Sequence, residues 1–568
     1  MAPAAAWARR LRAYDGAHLA LLAALLALLG VFIAYPVARV VYVALADPTA
    51  GWTLVHLRAF FQRPLFMEAL TNSLLAGLVA VLGGTVLSLP LAYLLVRYDF
   101  PGRSLVQTLA VLPLVVPPFV GAISLQQVLG RTGMVNLLLL RWFGTTVPFM
   151  EGLAGVMLVQ TLHYFPFILV NTAAALGRVD RSLEEMGQNL GCHGLRLFWR
   201  ITFPLVMPGY VAGAVLVFIK VVDDLGTPLM LNFTKMLAPQ AYLRVTTIGL
   251  EDVSGYVICL ILVGISVTAL AAAMKVLSLR EYASIQRGPA AEEAQQRLRG
   301  WRLAGGWALV AFVLGVALIP HVGIFLLSFA RRWSFSVLPT AYTLSHYGEI
   351  LFRAPHFMKN TLAYGVLAAA MDVLLGALIA YLLLRGRIPG RGLLDALAVL
   401  PLAIPGVVLG IGYLRAFHGV SLPGGASLTG SWVILVIAYA VRRLPYTVRA
   451  CYAAMQQIHV ALEEAAMNLG APRTRTFLRV TVPLMAGGML GGGILAFVTS
   501  AVELSATMVL VNRMEQGPLA YGIYVYMQSA LGRGAGAAMG VVTILMVGFG
   551  TYLANRLFGG RGQALFRL

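Results

Sequence analysis

Apolar runs roughly 20 residues long, separated by short stretches rich in Arg, Gly and Pro, recur from one end of this chain to the other. They fall near residues 17–45, 69–96, 105–128, 152–174, 210–230 and 254–278, and again near 303–329, 360–384, 393–416, 431–450, 485–510 and 536–556. A helix of that length crosses a hydrocarbon layer of roughly 30 Å with its backbone groups bonded internally. The pattern predicts an all-α polytopic membrane protein of about 12 spans, six plus six. A polar stretch from Arg280 to Arg302, containing "RGPAAEEAQQRLRG", separates a first domain at 1–279 from a second at 303–568. Its Pro, Ala and mixed charges fit a flexible tether as well as a regulatory element.

Composition agrees: 60% of residues are hydrophobic, 11% are charged and the mean hydropathy is +0.83, beyond what a soluble core requires. The net charge of +20 needs no anionic partner, because membrane proteins gather Lys and Arg on cytoplasmic loops; no nucleic acid is expected. Arg9, Arg10 and Arg12 precede the first apolar run as in a signal peptide. That run is too long for a signal core and lacks a small-residue cleavage pattern, so it is expected to remain as the first span. Cys192, Cys259 and Cys451 lie far apart without metal-ligand spacing, which argues against a disulfide framework or a zinc site.

Basic residues set the orientation. Arg97 and Arg103, Arg178, Arg181, Arg196 and Arg200, then Lys275, Arg280 and Arg287 fall on alternate loops, and Arg385, Arg387, Arg391, Arg473, Arg475, Arg479, Arg556 and Arg561 repeat the pattern. That side is predicted to be cytoplasmic, with both termini and the linker. The halves are also related in sequence. "AYLLVRYDFPGR" from Ala92 matches "AYLLLRGRIPGR" from Ala380, and Asn72/Asn360, Pro101/Pro389, Pro113/Pro401 and Pro117/Pro405 share an offset of 288. Later pairs, Pro166/Pro445, Glu185/Glu464, Gly191/Gly470, Pro204/Pro483 and Asp224/Glu503, are offset by 279. The change falls in the loop between the third and fourth spans, where outside loops tolerate insertion. An even number of crossings separates equivalent spans, so the repeat is parallel.

The loops between the fourth and fifth spans carry the most specific motif: "SLEEMGQNLGCHGLRLFWRITFPLVMPG" from Ser182 to Gly209 and "ALEEAAMNLGAPRTRTFLRVTVPLMAGG" from Ala461 to Gly488. An acidic first turn suits a helix N-terminus, and a following Gly permits the chain to turn. A short helix of this kind can lie as a lever in a groove of a soluble partner. Phe198 and Phe477, flanked by Arg196, Arg200, Arg473 and Arg479, are expected to supply apolar contact there. A single amphipathic loop with Glu and Gly is common in membrane proteins; two copies at equivalent positions are not.

Both copies resemble the pattern E-A-A-x(3)-G-x(9)-I-x-L-P of the permease subunits of ATP-binding-cassette importers. Its anchors are Glu185, Gly191, Ile201, Phe203 and Pro204 in the first copy and Glu464, Ala465, Ala466, Gly470, Val480, Val482 and Pro483 in the second. The first copy departs at Met186, Gly187 and Phe203, which implies unequal contact of the halves with their partners. The resemblance implies two tandem six-helix type I permease domains in a bacterial inner membrane, a homodimer of ATPase subunits on the cytoplasmic side and a periplasmic substrate-binding protein. No G-x-x-x-x-G-K-[ST] loop occurs, so ATP is expected to be used by the partner, and this chain is expected to bind no cofactor and to be no enzyme.

Ionisable residues inside spans point to function. Lys220, Asp223 and Asp224 lie in "FIKVVDDLGTPLML", whose counterpart "FVTSAVELSATMVL" contains Glu503. Asp224, about 24 Å along the helix from Pro208, is expected near the outer mouth. Lys220 and Asp224 either neutralise each other as an i,i+4 pair or line the pathway; Thr499 replaces the lysine in the second half. His163 and its counterpart Arg442 are further pathway candidates, His163 as a packed or pore-facing polar residue and not a ligand. "DLGTPLML", "APQAYLRVTTIGL", "REYASIQRG" and "ELSATMVL" resemble the fused ferric-iron permeases of this superfamily, to which thiamine and phosphonate permeases are similar. That resemblance implies ferric iron as cargo, with thiamine, aminoethylphosphonate or polyamine as alternatives. It makes Asp224 and Glu503 candidate metal-contacting carboxylates, with Tyr242 and Tyr256 either contributing or anchoring the interface. A secondary transporter would need no paired docking loops, and a membrane enzyme would need a ligand or nucleophile constellation that the spans lack.

Overall fold

The computed structural model describes residues 16–47, 51–114, 116–278, 296–386, 388–529 and 531–558. Arg9, Arg10, Arg12, Arg387, Arg561 and the linker from Arg280 to residue 295 lie outside them. The chain is almost wholly helical. Among the described residues nine helices are long and apolar enough to cross a membrane, and two bent pairs, Arg103–Leu114 with Pro118–Phe143 and Arg391–Leu402 with Gly406–Ala416, bring the number to 11 if each is one span. Trp432–Gln456 is as long as its first-half counterpart Gly152–Leu176, at 25 residues each, and falls short of an apolar span because it carries Arg442, Arg443 and Arg449. Counting it restores the six-plus-six arrangement.

The third spans, near 105–128 and 393–416, are bent, as Pro113, Pro117, Pro118, Pro401 and Pro405 lead one to expect of them. Their arms turn by 100° and 112°. Pro113 and Pro401 sit in short 3-10 turns, and Pro117 and Pro405 are extended residues before the second arms, where proline suits a helix start. The fifth spans also end early. Phe203–Asp223 and Val482–Ala501 stop, and short helices Gly226–Met230 and Ser505–Leu510 follow after a break.

The sequence repeat recurs in the hydrogen bonds. Asn72 donates to the Lys235 carbonyl and Asn360 to the Glu515 carbonyl; the Leu237 N–H donates to Ser73 and the Leu519 N–H to Thr361. Each second span thus pins the re-entrant segment that follows the fifth. The halves exchange contacts: the second arm of each third span packs against the other half's first span. Ser124 donates to the Pro320 carbonyl at 2.5 Å, and Gly412 lies so close to Pro36 that a Cβ would stand 3.1 Å from its carbonyl oxygen. The last linker residues are ordered, since Gln296–Arg297 pairs in parallel with Tyr98–Asp99.

Candidate functional site

The first docking loop forms a helix, Arg181–Asn189, whose N-cap Asp180 accepts from the Ser182 N–H at 2.9 Å. That bond holds the Asp180 carboxyl below its ordinary value. The second forms Val460–Asn468, capped by His459 Nδ1 accepting from the Ala461 N–H at 3.2 Å. Both end in the same turn. Gly191 and Gly470 adopt φ of +83° and +85°, and the Cys192 and Ala471 N–H groups reach back to the Gly187 and Ala466 carbonyls at 2.9 and 3.1 Å. Glycine accepts this left-handed conformation without strain.

Of each Glu-Glu pair, the first turns inward. Glu184 accepts from Arg97 at 3.0 Å and from Thr202 at 2.9 Å; Glu463 accepts from Arg385 and from Thr481, each at 3.2 Å. All four partners are equivalent under the repeat, so each loop helix is clamped to the end of the second span and the start of the fifth. Glu185 and Glu464 are exposed. Phe198 and Phe477, expected at the partner surface, are half-buried and pack edge-on against Tyr93 and Tyr381 at 5.8 and 4.8 Å. Leu190, Leu195 and Trp199, with Leu469 and Leu478, form the exposed apolar face instead, and Leu190 and Leu469 are 88% and 89% exposed. Met186 is exposed beside them, whereas Gly187 is an internal adjustment: a Cβ there would meet Ile201 Cδ1 at 2.3 Å. The second half solves the same contact with Ala466 and the shorter Val480. Ala465 is exposed, and Pro204 and Pro483 occupy first turns of the fifth spans, where no N–H is needed.

The second cluster lies where the fifth spans break. Asp223 Oδ1 accepts from the Gly406 N–H at 2.6 Å and Oδ2 from Arg442 at 2.8 Å, a buried bridge between the halves. Arg442 also donates to Glu503 at 3.2 Å, and Arg443 donates to Glu503 and to the Thr499 carbonyl at 2.5 and 2.7 Å. Gly406 is dictated by this packing, since a Cβ there would overlap the Arg442 guanidinium. The bridge is one-sided. Where the repeat would place its mate stand His163, Val502 and Pro118, and proline has no N–H to donate.

These contacts correct several expectations. Asp224 accepts from Gln160 at 3.1 Å and from the Thr227 N–H at 3.2 Å, and Lys220 makes no ion pair within 4.0 Å, so no i,i+4 pair forms. Glu503 accepts in the same way from the Ala506 N–H at 3.2 Å. Both acids thus accept from first-turn N–H groups of the short helices after the break, and both are buried. No group of three or more His, Cys, Asp or Glu among the described residues is placed to hold a metal ion. Tyr256 donates to the Leu250 carbonyl at 2.8 Å, and Tyr242 is half-buried. His163 is half-buried beside Tyr164. Arg97 and Arg385 read in the sequence only as markers of orientation, and Arg443 and Glu184 carry no site role there, although the pairs Arg97/Arg385 and Glu184/Glu463 keep the repeat offsets.

Residues 84–280 and 372–561 match the family described as binding-protein-dependent transport system inner membrane component. The chain is 27% identical over 490 residues to the ferric transport system permease protein FbpB of Actinobacillus pleuropneumoniae, covering 82% of this chain and 69% of that protein. It is 26% identical over 494 residues to the putative ferric transport system permease protein FbpB 1 of Haemophilus influenzae, covering 85% and 76%. The molybdenum transport system permease protein ModB of Escherichia coli is 35% identical over 191 residues, 32% of this chain and 82% of that protein. Each matched stretch contains one clamped loop helix and one broken fifth span, so the chain is a member of the binding-protein-dependent transport system inner membrane component family, with the permease unit present twice.

Proposed function

We propose that this ATP-binding-cassette importer permease carries ferric iron inward between its two halves, driven by two copies of an ATPase subunit seated on the loops at 182–209 and 461–488. The observation that carries the coupling role is the duplicated clamp. A rigid helix bearing exposed Leu190 or Leu469 is tied by a buried ion pair to the second and fifth spans, so a push on the helix moves both. Exposed Glu185 and Glu464 are placed to meet the ATPases, which supply the ATP chemistry. Both termini and the linker lie on this side, and a periplasmic binding protein delivers the cargo opposite. Asp223, Arg442 and Gly406 close the path at the far end of a 21-residue helix from the coupling loop. Opening separates the halves there and alternates access.

Iron as cargo is supported by the two ferric permease relatives, which align with most of the chain. Oxyanion import is a second reading, favoured by Lys220, which among the described residues has no ion-pair partner within 4.0 Å while the neighbouring acids are engaged, and by the molybdenum permease relative. Hydrolysis by the complex in lipid, stimulated by binding protein loaded with ferric ion, molybdate, thiamine or aminoethylphosphonate, separates them. Stimulation by the ferric form alone is expected. Stimulation by molybdate alone would replace iron with the oxyanion reading, and no coupling to any ATPase would overturn the importer mechanism.

A further inference from the structure

Asp372, in the second-half second span Pro355–Arg385, is fully buried at 0% exposure, and neither carboxylate oxygen has a hydrogen-bond partner. Nothing in the clamp or the bridge uses it. The second and fourth spans run parallel here, and their register is fixed on both sides of it: Tyr364 stacks on Trp432 at 5.9 Å, and the Gly376 position abuts Thr447 at 3.0 Å. One turn before that abutment, Asp372 stands level with Arg443. Arg443 is the charge that Asp372 feels, yet no Arg443 nitrogen lies within 4.0 Å of it, because Nη2 is engaged by Glu503 and Thr499. The Arg443 Nε is itself buried without a partner.

Among the described residues Arg443 is the charged group that acts on this carboxylate. The fifth span carries no titratable side chain from Val482 to Ala501. On the other packed elements Asp395 pairs with Arg449, His18 with Tyr381 and Arg385 with Glu463. On the fourth span Tyr439 bonds Thr507 and Arg442 holds the bridge. The first half has neither partner: Gly84 and Tyr164 occupy the equivalent positions, and a Cβ at Gly84 would stand 3.2 Å from Ile168 Cδ1 on the fourth span. Acid and base are therefore present together in one half and absent together in the other.

We infer that Asp372 is the second seat of Arg443, a positioning residue that receives the guanidinium when the contacts around Glu503 break. An arginine whose Nη2 is held by Glu503 and the Thr499 carbonyl, with an unused buried carboxylate level with it on the neighbouring span, has two discrete arrangements open to it. The first leaves a buried carboxylate without a donor, which is unfavourable, and the second satisfies it while freeing Glu503. Asp372 thereby brings the open arrangement of the gate closer in free energy to the closed one. The inference rests on reading the Asp223–Arg442 bridge as the gate, and Asp223 variants test that reading separately.

The experiment is a double-mutant cycle on the complete complex in lipid, with Asp372→Asn, Arg443→Gln and both, read as thermal unfolding in the resting state and after trapping with ATP and vanadate. Asp372→Asn is expected to cost little in the resting state, with weak coupling to Arg443→Gln, and the coupling between the two is expected to be strong in the trapped state. Additive losses in both states, or equal coupling in both, would overturn the proposal. Should Arg443→Gln fail to assemble, the transport rate decides. Asp372→Asn is expected to lower the maximal rate on the order of tenfold without changing the load concentration at half-maximum, and Asp372→Glu to restore it. Wild-type transport by Asp372→Asn would refute the second seat.

Discussion

Replacing Asp223 by Ala removes a buried carboxylate that bridges the halves, Glu251 with Arg415 being an exposed bridge between them. The structure gives two losses in the closed state: the Arg442 bond at 2.8 Å and the acceptor of the buried Gly406 N–H at 2.6 Å. A charge-assisted bond contributes about 1.5–3 kcal/mol, and an orphaned buried N–H costs about 1–3 kcal/mol. Arg442 keeps Glu503 at 3.2 Å, so the lower ends apply. The closed arrangement is then destabilised by about 3 kcal/mol, on the order of a hundredfold in the ratio of closed to open. The open arrangement has already given up these contacts and is unaffected. ATP hydrolysis by the complex in lipid without binding protein reads this ratio. It is expected to rise, with less cargo moved per ATP, whereas Asp224→Ala, whose contacts stay within the first half, raises it far less. An assembled Asp223→Ala complex with wild-type basal hydrolysis and wild-type transport per ATP would refute the gate assignment.

Gly187→Ala is expected to lower the unfolding midpoint by the equivalent of about 1–3 kcal/mol through overpacking against Ile201, and Ile201→Val in the same chain to recover most of it, as the Ala466–Val480 pair does in the second half; simply additive losses would contradict this. Glu184→Gln leaves Arg97 buried without its counter-charge and is expected to cost about 3 kcal/mol of permease stability. Exposed Glu185→Ala is expected to stay within about 0.5 kcal/mol while weakening copurification of the ATPase. The opposite ranking in thermal unfolding and pull-down would exchange their roles.

Much of this molecule is legible in one dimension. Membrane spans announce themselves because the bilayer demands long apolar runs, and Trp432–Gln456 fails that test only through arginines that have partners inside the protein. The break of the third spans follows from Pro117 and Pro405, since proline is a local constraint. The turn after each loop helix follows from Gly191 and Gly470 for the same reason. The duplicated loops stand out because a repeat keeps offsets that chance does not.

Direction and partnership are different. Glu184 and Glu185 are adjacent, and the helical rotation between neighbours sends one to Arg97 and the other to solvent; sequence preserves both in the two halves and does not rank them. Phe198 reads as a docking residue until Tyr93, 105 positions earlier, is found against its ring. Asp223 and Arg442, separated by 219 positions, meet only because the halves pack face to face, and Pro118 opposite Gly406 decides that this happens once and not twice. Composition and spacing determined the spans, the repeat and the family because these depend on local chemistry and on the solvent. Which charges are used up and which remain depends on contacts between distant segments, and the tertiary structure alone decided those.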